Sequence, residues 1–478
     1  MEPDEDDGQG DFPMPLSDVS NGEWCPRPPS PRQRAAARLL ADEAERRARR
    51  LGMTRREFLR TTAGTATAFW VLSTVNGLPT SGDAAPLPVT PEQCDDPEAA
   101  AELFAADHFV MDVQLHHVDL ASFGDQPSLG CLRFYPPGDQ CTAEGLQLLS
   151  QANLVKEVFV DSETAVGVIS GVPEGYPLPV ETMAATRDLV NQLAGSERAL
   201  SQAMCDPTSA PGSQTAVDSL EHQVNDLGAR ALKCYTGNGN WWLDDEKIAY
   251  PMLEEARRLG LRTVNVHKGF PALLGPGSAE YVRSRDLPKA VADFADLNFV
   301  AYHSGYFPGE GIGEFLGVAR SMKRKHRKRL YAELGSCFAT ALLEGPDQAA
   351  HLVGSLLKRL GSKRILWGTD SIWWGSPQWQ IDAFKALKIP KSMQRKFGYP
   401  PLTEKAKARI LGLNAATLYG VDPKQVRCAI AEDAIAGIRD EQGGLRASRS
   451  HRVYGPRTRE AYEALLAHAA GHGPARIA

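Results

Sequence analysis

Phe299-Val300-Ala301-Tyr302-His303 is a short apolar run that ends on an imidazole. A brief stretch of β-branched and aromatic residues with no polar alternation reads as a strand buried on both faces, the kind a parallel sheet contains. The same design recurs on either side of it. Phe109–His116, Ala165–Ser170, Ala199–Cys205, Ala231–Tyr235 and Thr263–His267 precede it, and Leu330–Leu334 and Ile365–Asp370 follow. Stretches with helical spacing lie between them: Pro179–Leu193, Val217–Leu227, Asp245–Leu259, Leu287–Phe294, Gly313–Lys325 and Gln348–Leu360. Eight strands alternating with helices predict an α/β fold of the (β/α)8 TIM-barrel type. An open doubly wound sheet would alternate as well, but no GxGxxG follows the first strand, which disfavours a dinucleotide crevice.

Several of these runs close on a polar residue: Gln114 and His116, Lys233, His267, His303, Glu333 and Asp370. In a parallel barrel the carboxyl ends of all strands gather at one mouth, so these side chains are expected to converge. A single histidine at a strand end is commonly a hydrogen-bonded core residue; the recurrence at one phase of the repeat is what points to a site. His116, His267 and Asp370 supply two imidazoles and a carboxylate, donors that suit a borderline divalent ion, zinc first and manganese second. Such an ion lowers the pKa of bound water to about 7. Gln114, two residues before His116 and on the same strand face, is a weak neutral ligand or a hydrogen-bonding group. His303 is a candidate acid/base, carbonyl polariser or further ligand, and Asp370 the candidate base. Lys233, Lys268 and Glu333 are candidates for orienting a substrate. His117 points the other way and reads as structural.

The totals agree with an ordinary soluble globular protein. In 478 residues, 42% are hydrophobic and 23% charged, with a net charge of -6, so a disordered or multi-span membrane chain is excluded. The acidic balance gives no footing for nucleic acid, and the basic run Lys323–Arg329 reads as a solvated helix end. Eight cysteines without a CxxC pair do not make a disulfide scaffold or zinc knuckle. Cys205, Cys234 and Cys337 read as buried thiols, and Cys94, Cys131 and Cys141 leave room for one bridge.

Residues 1–52 hold no aliphatic cluster and predict disorder followed by one exposed helix. Residues 53–85 contain Arg55-Arg56-Glu57-Phe58-Leu59-Arg60 and then a weakly apolar run, Thr61–Val75. This order resembles a twin-arginine export signal, with Ser81-Gly82-Asp83-Ala84-Ala85 as a cleavage region; an amphipathic helix with a chance Arg-Arg pair is the other reading. The run is too short for a membrane span. If the signal is used, the export machinery is a partner and the protein is periplasmic or extracellular; otherwise it is cytoplasmic.

Residues 100–425 form the expected barrel, and here a family resemblance becomes specific. Asp112-Val113-Gln114-Leu115-His116, Val266-His267-Lys268-Gly269, Tyr302-His303-Ser304-Gly305, Trp367-Gly368-Thr369-Asp370-Ser371 and the closing Ile410–Gly420 resemble the amidohydrolase-related (amidohydrolase 2) family of the amidohydrolase superfamily, in the branch of aminocarboxymuconate-semialdehyde and resorcylate decarboxylases. The resemblance implies one divalent metal held by His116, His267 and Asp370, with Gln114 adjacent and His303 assisting. Gln114 stands where the family carries the first His of His-x-His, a departure that weakens the site. A carbamate at Lys233 is not required by a single-metal site.

The expected activity is metal-dependent hydrolysis of an amide, ester or lactone-like bond in a small substrate. The alternatives are non-oxidative decarboxylation of an aromatic or unsaturated acid, and a non-catalytic ligand-binding barrel. Aromatic residues follow several strands: Tyr235, Trp241, Trp242, Phe270, Tyr306, Phe307, Trp373, Trp374 and Trp379. Some should pack the rim, and the rest suit a ring-bearing substrate, Trp374 among them. Residues 426–478 read as a helical tail, with a helix around Arg459–His468 that packs on the barrel or on a second copy in a homodimer.

Overall fold

The computed structural model describes residues 12–19, 28–123, 147–173, 178–271 and 277–445. Its strands are β1 (Val110–Leu115), β2 (Thr164–Ile169), β3 (Ala199–Ser201), β4 (Ala203–Met204), β5 (Leu232–Tyr235), β6 (Thr263–Gly269), β7 (Asn298–Tyr306), β8 (Leu330–Glu333) and β9 (Ile365–Leu366). All pair in parallel with their sequence neighbours, in the orders β1-β2-β3 and β4 to β9. β3 and β4 are one strand interrupted at Gln202, whose N–H still donates to Ile169 O at 3.2 Å. The far seam closes through Val113 N to Trp367 O, Asp370 N to Gln114 O (both 3.1 Å) and His116 N to Ser371 O (2.6 Å). Eight strand positions thus form a closed ring with helices between them, a (β/α)8 barrel.

The strands are buried along nearly their whole length because helices cover the outside and side chains fill the inside. The inner cluster joins Met111, Val113, Val166, Val168, Leu200 and Val300 to Ala415, Ala416 and Tyr419 of the closing helix Asn414–Tyr419. The outer helices carry ordinary start and stop signals. Pro346–Leu360 has its proline in the first turn and Lys358 and Arg359 in the last. Val180–Ala194 stops at Gly195, whose φ of 63° a side chain would strain.

The expected eighth strand, Ile365–Asp370, pairs only over Ile365–Leu366. Beyond it the chain bends into the mouth, and Asp370 adopts the left-handed region at φ 60°. Helices Gly335–Glu344 and Gln378–Ala386 were not anticipated; the first follows directly on the end of β8, the second comes after the loop that carries Asp370 and Trp374.

The ends of the chain need correction. Within 1–52, Phe12, Met14, Leu16 and Val19 are buried, and Pro31–Arg50 is a helix with a Ser30/Gln33 capping box and one buried face. Its apolar face is mostly alanine, so it carries little hydrophobic signal in sequence, and its buried Arg47 is neutralised by Glu43 and Asp95. At the other end, helix Ala434–Glu441 docks on the barrel: Asp433 pairs with buried Arg198 at 2.7 Å, and Arg439 donates to the carbonyls of Phe159, Val160 and Ser162. The helix expected at Arg459–His468, and Cys131 and Cys141, lie outside the described residues. Cys94, Cys205, Cys234 and Cys337 are buried free thiols. Among the described residues, no helix is long and apolar enough to cross a membrane.

Asp382, in helix Gln378–Ala386, gives a pH-dependent prediction away from the mouth. Burial, and next the Glu163 carboxylate, push its carboxyl up to about 7. A raised folded value means that its contribution is full below the ordinary 3.8 and is lost as pH climbs through about 7. Asp382→Asn should therefore gain on wild type between pH 4 and pH 7.5 in urea unfolding, by up to about 4 kcal/mol at 1.36 kcal/mol per pK unit. An equal stability gap at both pH values would show that Asp382 titrates normally.

Candidate active site

The end of β1 is fixed first. Asp112 accepts the N–H of Gln114 at 3.0 Å and that of Thr369 at 3.2 Å, and also the Thr369 hydroxyl, so one carboxyl ties β1 to the turn after β9. Burial pushes Asp112 up to about 7. This tie brings Gln114 and His116 against Asp370.

Four side chains then meet. The Gln114 amide Nε2 donates to Asp370 Oδ1 at 2.9 Å and lies 3.3 Å from His116 Nε2 and 3.4 Å from His303 Nε2. His116 Nε2 is 3.3 Å from Asp370 Oδ1. All four are 1% exposed or less. The other Asp370 oxygen accepts the Ser336 hydroxyl, which itself accepts Trp374 Nε1 at 2.9 Å. Burial alone would raise the Asp370 carboxyl. The His116 hydrogen bond, the nearby imidazoles and Ser336 outweigh it and hold the carboxyl well below the usual carboxylate range. Burial pushes His303 down to about 3, so its ring is neutral at pH 7.

The backbone here is bent against its preference. Phe270, His303, Ser304 and Asp370 have φ values of 40°, 56°, 52° and 60°, just past β6, inside the last part of β7 and in the turn after β9. Glu333 supports the bend: its carboxylate accepts the N–H of His303 at 2.8 Å and that of Gly335. Burial pushes it up to about 8. Two glycines make room. A Cβ on Gly368 would fall 1.9 Å from Glu333 Oε1, and one on Gly335 would lie 2.7 Å from Gln114 Oε1. Glu333 was expected to orient substrate; instead its carboxylate is committed to backbone N–H groups.

The remaining candidates divide. His267 joins through aromatic contacts, edge-on to His303 at 4.9 Å and stacked on Tyr235 at 4.8 Å, with Nε2 3.4 Å from Phe270 O. Lys233 is fully buried, its ammonium 3.6 Å from the Tyr302 ring centre and 4.5 Å from that of Tyr235. Lys268 does not face the mouth. It pairs with Asp286 at 2.6 Å and donates to Thr236 Oγ1 and Tyr281 O, both at 3.1 Å, on the side of β6 that meets the helices. An anionic substrate group is therefore not its partner. His117 bonds Thr186 at 2.8 Å, as a structural residue would.

Trp373 stacks with His116 at 6.2 Å, and Phe270 packs on His303 and Tyr306. Trp242 and Phe307 instead lie under Arg285 and Arg283 at the rim. Ser336 was missed by sequence reading. Its only signal is position, three residues past a strand-end glutamate.

Counting His, Cys, Asp and Glu alone, no group of three among the described residues is arranged to hold a metal. His116 and Asp370 are two such donors, and the Gln114 amide takes the third corner. It shows its NH₂ there, while its Oε1 is buried without a hydrogen-bond partner. A half-turn of the amide exchanges the two atoms, and the separations of 2.9–3.3 Å among Gln114, His116 and Asp370 are those of neighbouring ligands on an ion bonded at about 2.0–2.2 Å. With the amide so turned, the His116 imidazole and the Gln114 and Asp370 oxygens fit zinc or manganese, with room left for a further imidazole.

No curated protein matches the chain in sequence. Similar solved structures include the 5-carboxyvanillate decarboxylase LigW of Sphingomonas paucimobilis (15% identity, TM-score 0.42, covering 66% of this chain and all of the other). A dihydroxybenzoic acid decarboxylase of Polaromonas sp. JS666 with bound manganese gives 15%, 0.41, 66% and 97%. A probable 2-pyrone-4,6-dicarboxylic acid hydrolase of Acinetobacter baumannii gives 12%, 0.37, 65% and 99%. The amidohydrolase family profile matches residues 174–421, just over half of the chain, including His267, His303 and Asp370 but not Gln114 and His116. The chain belongs to the amidohydrolase family.

Proposed function

We propose that this amidohydrolase-family chain hydrolyses an amide, ester or lactone-like bond in a small ring-bearing molecule. The observation that carries the reading is the meeting of Gln114, His116, His303 and Asp370, drawn from β1, β7 and the turn after β9, within 2.9–3.4 Å of one amide nitrogen. His116, Asp370 and Gln114, with His267 as a further imidazole, would hold one divalent ion, zinc first and manganese second, which supplies Lewis-acid polarisation when bound. Asp370, kept ionised, takes the proton of the attacking water. His303, neutral, turns Nε2 into the cluster, where it can hydrogen-bond a developing oxyanion in its N–H tautomer. Trp373, Phe270 and Tyr306 form an apolar wall for the substrate ring.

The complete burial of these groups supports a second reading. A carboxylate stripped of water in an apolar site loses carbon dioxide more readily, so decarboxylation of an aromatic acid is the alternative. A panel of lactones, esters and hydroxybenzoic acids assayed in ¹⁸O-water separates the two. Label in the product selects hydrolysis; carbon dioxide release without label selects the alternative; neither outcome on any class sinks both.

Gln114→His tests the metal assignment without turnover. It replaces a neutral amide by an imidazole, and zinc affinity measured by calorimetry should tighten at least about tenfold, near 1.4 kcal/mol. Unchanged affinity would place the ion, if it binds, elsewhere.

A further inference from the structure

The segment that reads as a twin-arginine leader is packed inside the molecule. Arg55–Phe58 is a short helix opened by a Thr54/Glu57 capping box, and Phe58 and Leu59 are fully buried. Helix Thr62–Val75 follows so closely that a Cβ on Gly64 would lie 2.5 Å from Phe58 O. Ala63 through Phe69 and Val71 through Ser73 of that helix are all buried. Phe69 meets Phe104 edge-on at 5.9 Å, Thr62 donates to Pro97 O at 2.6 Å, and the buried Arg47 lies over Trp70 at 5.7 Å.

This unit is continuous with the barrel. Its Phe12, Phe58, Phe69, Leu72 and Leu87 belong to the same core cluster as Leu342, Leu343 and Phe384. Lys388 N donates to Pro86 O at 2.8 Å, Lys385 Nζ to Phe104 O at 2.9 Å, and Gln33 Nε2 to Leu343 O at 3.5 Å. The helices it touches, Gly335–Glu344 and Gln378–Ala386, begin next to the site, at Ser336 and just past Trp374.

We infer that folding consumes the leader-like segment: residues 54–75 are a permanent part of the core, so the chain is neither cleaved after them nor exported by them. An export receptor needs the Phe-Leu and the apolar run in the open. Here both are the hydrophobic filling between helix Pro31–Arg50, helix Pro97–Phe104 and the barrel. Removing residues through Ala85 would strip that filling and leave the apolar side of the two mouth helices in water.

The test is expression of the full chain in a bacterium with an active twin-arginine pathway, followed by fractionation and intact-mass measurement. The expected result is one species, retained inside, with no cut between residues 76 and 105, and the same result for the Arg55→Lys/Arg56→Lys pair. A processed chain outside the cytoplasm, lost when the arginines become lysines, overturns the inference. Phe69→Ala gives a second, independent readout on the purified full chain. Deleting a buried phenylalanine should lower the apparent Tm by roughly 3–5 °C, or leave the protein insoluble. An unchanged Tm would show that the helix is a dispensable leader.

Discussion

Replacing Asp370 by Asn lowers turnover by about 10²–10⁴-fold, the usual worth of a positioned proton acceptor, while the barrel stays folded. The carboxylate is where three lines of support end: the Gln114 amide, His116, and the Ser336 hydroxyl backed by Trp374. An amide at this position keeps an acceptor for Ser336 but loses the negative charge that the site holds in place. The measurement is single-turnover kinetics on a substrate of the wild type, with a thermal melt of the same sample. Activity within about threefold of wild type would remove Asp370 from the chemistry. Loss of activity together with a collapse of the melt would call for Ser336→Ala as the gentler probe, expected to slow turnover and shift its pH profile without unfolding the chain.

Lys268→Met should cost about 3–5 kcal/mol of stability, because it leaves the Asp286 carboxylate buried without its counter-charge. Both partners have fully buried side chains. Lys268→Met/Asp286→Leu should recover much of the loss, stopping about 1–3 kcal/mol short because Leu243 N–H, which donates to Asp286 at 2.9 Å, loses its acceptor. Guanidinium unfolding of the three variants checks this, and turnover per folded molecule should not change. A raised KM with undiminished stability would return Lys268 to the substrate.

The alternation of strands and helices was legible because parallel strands buried on both sides leave long apolar runs, and the convergence of His116, His303 and Asp370 followed from the closure of the barrel. Other features were hidden for physical reasons. An aspartate can take the left-handed conformation without announcing it, so the early end of β9 could not be read. The glutamate of β8 looks the same whether it meets a substrate or a backbone N–H. The alanine-rich face of Pro31–Arg50 and the scattered Phe12, Met14 and Leu16 bury well only because a barrel is there to receive them. Lys268 was readable: it follows His267, and adjacent strand residues point to opposite faces.

The four left-handed residues around the mouth have a consequence for anyone breeding this protein for heat. Each unfavourable torsion holds back on the order of 1–3 kcal/mol, and Ser304, with the smallest side chain of the four and next to His303, is where glycine loses least and brings the most relief. Selection for survival at high temperature alone would therefore drift toward the reacting groups, and the hardiest descendants would be the least reactive.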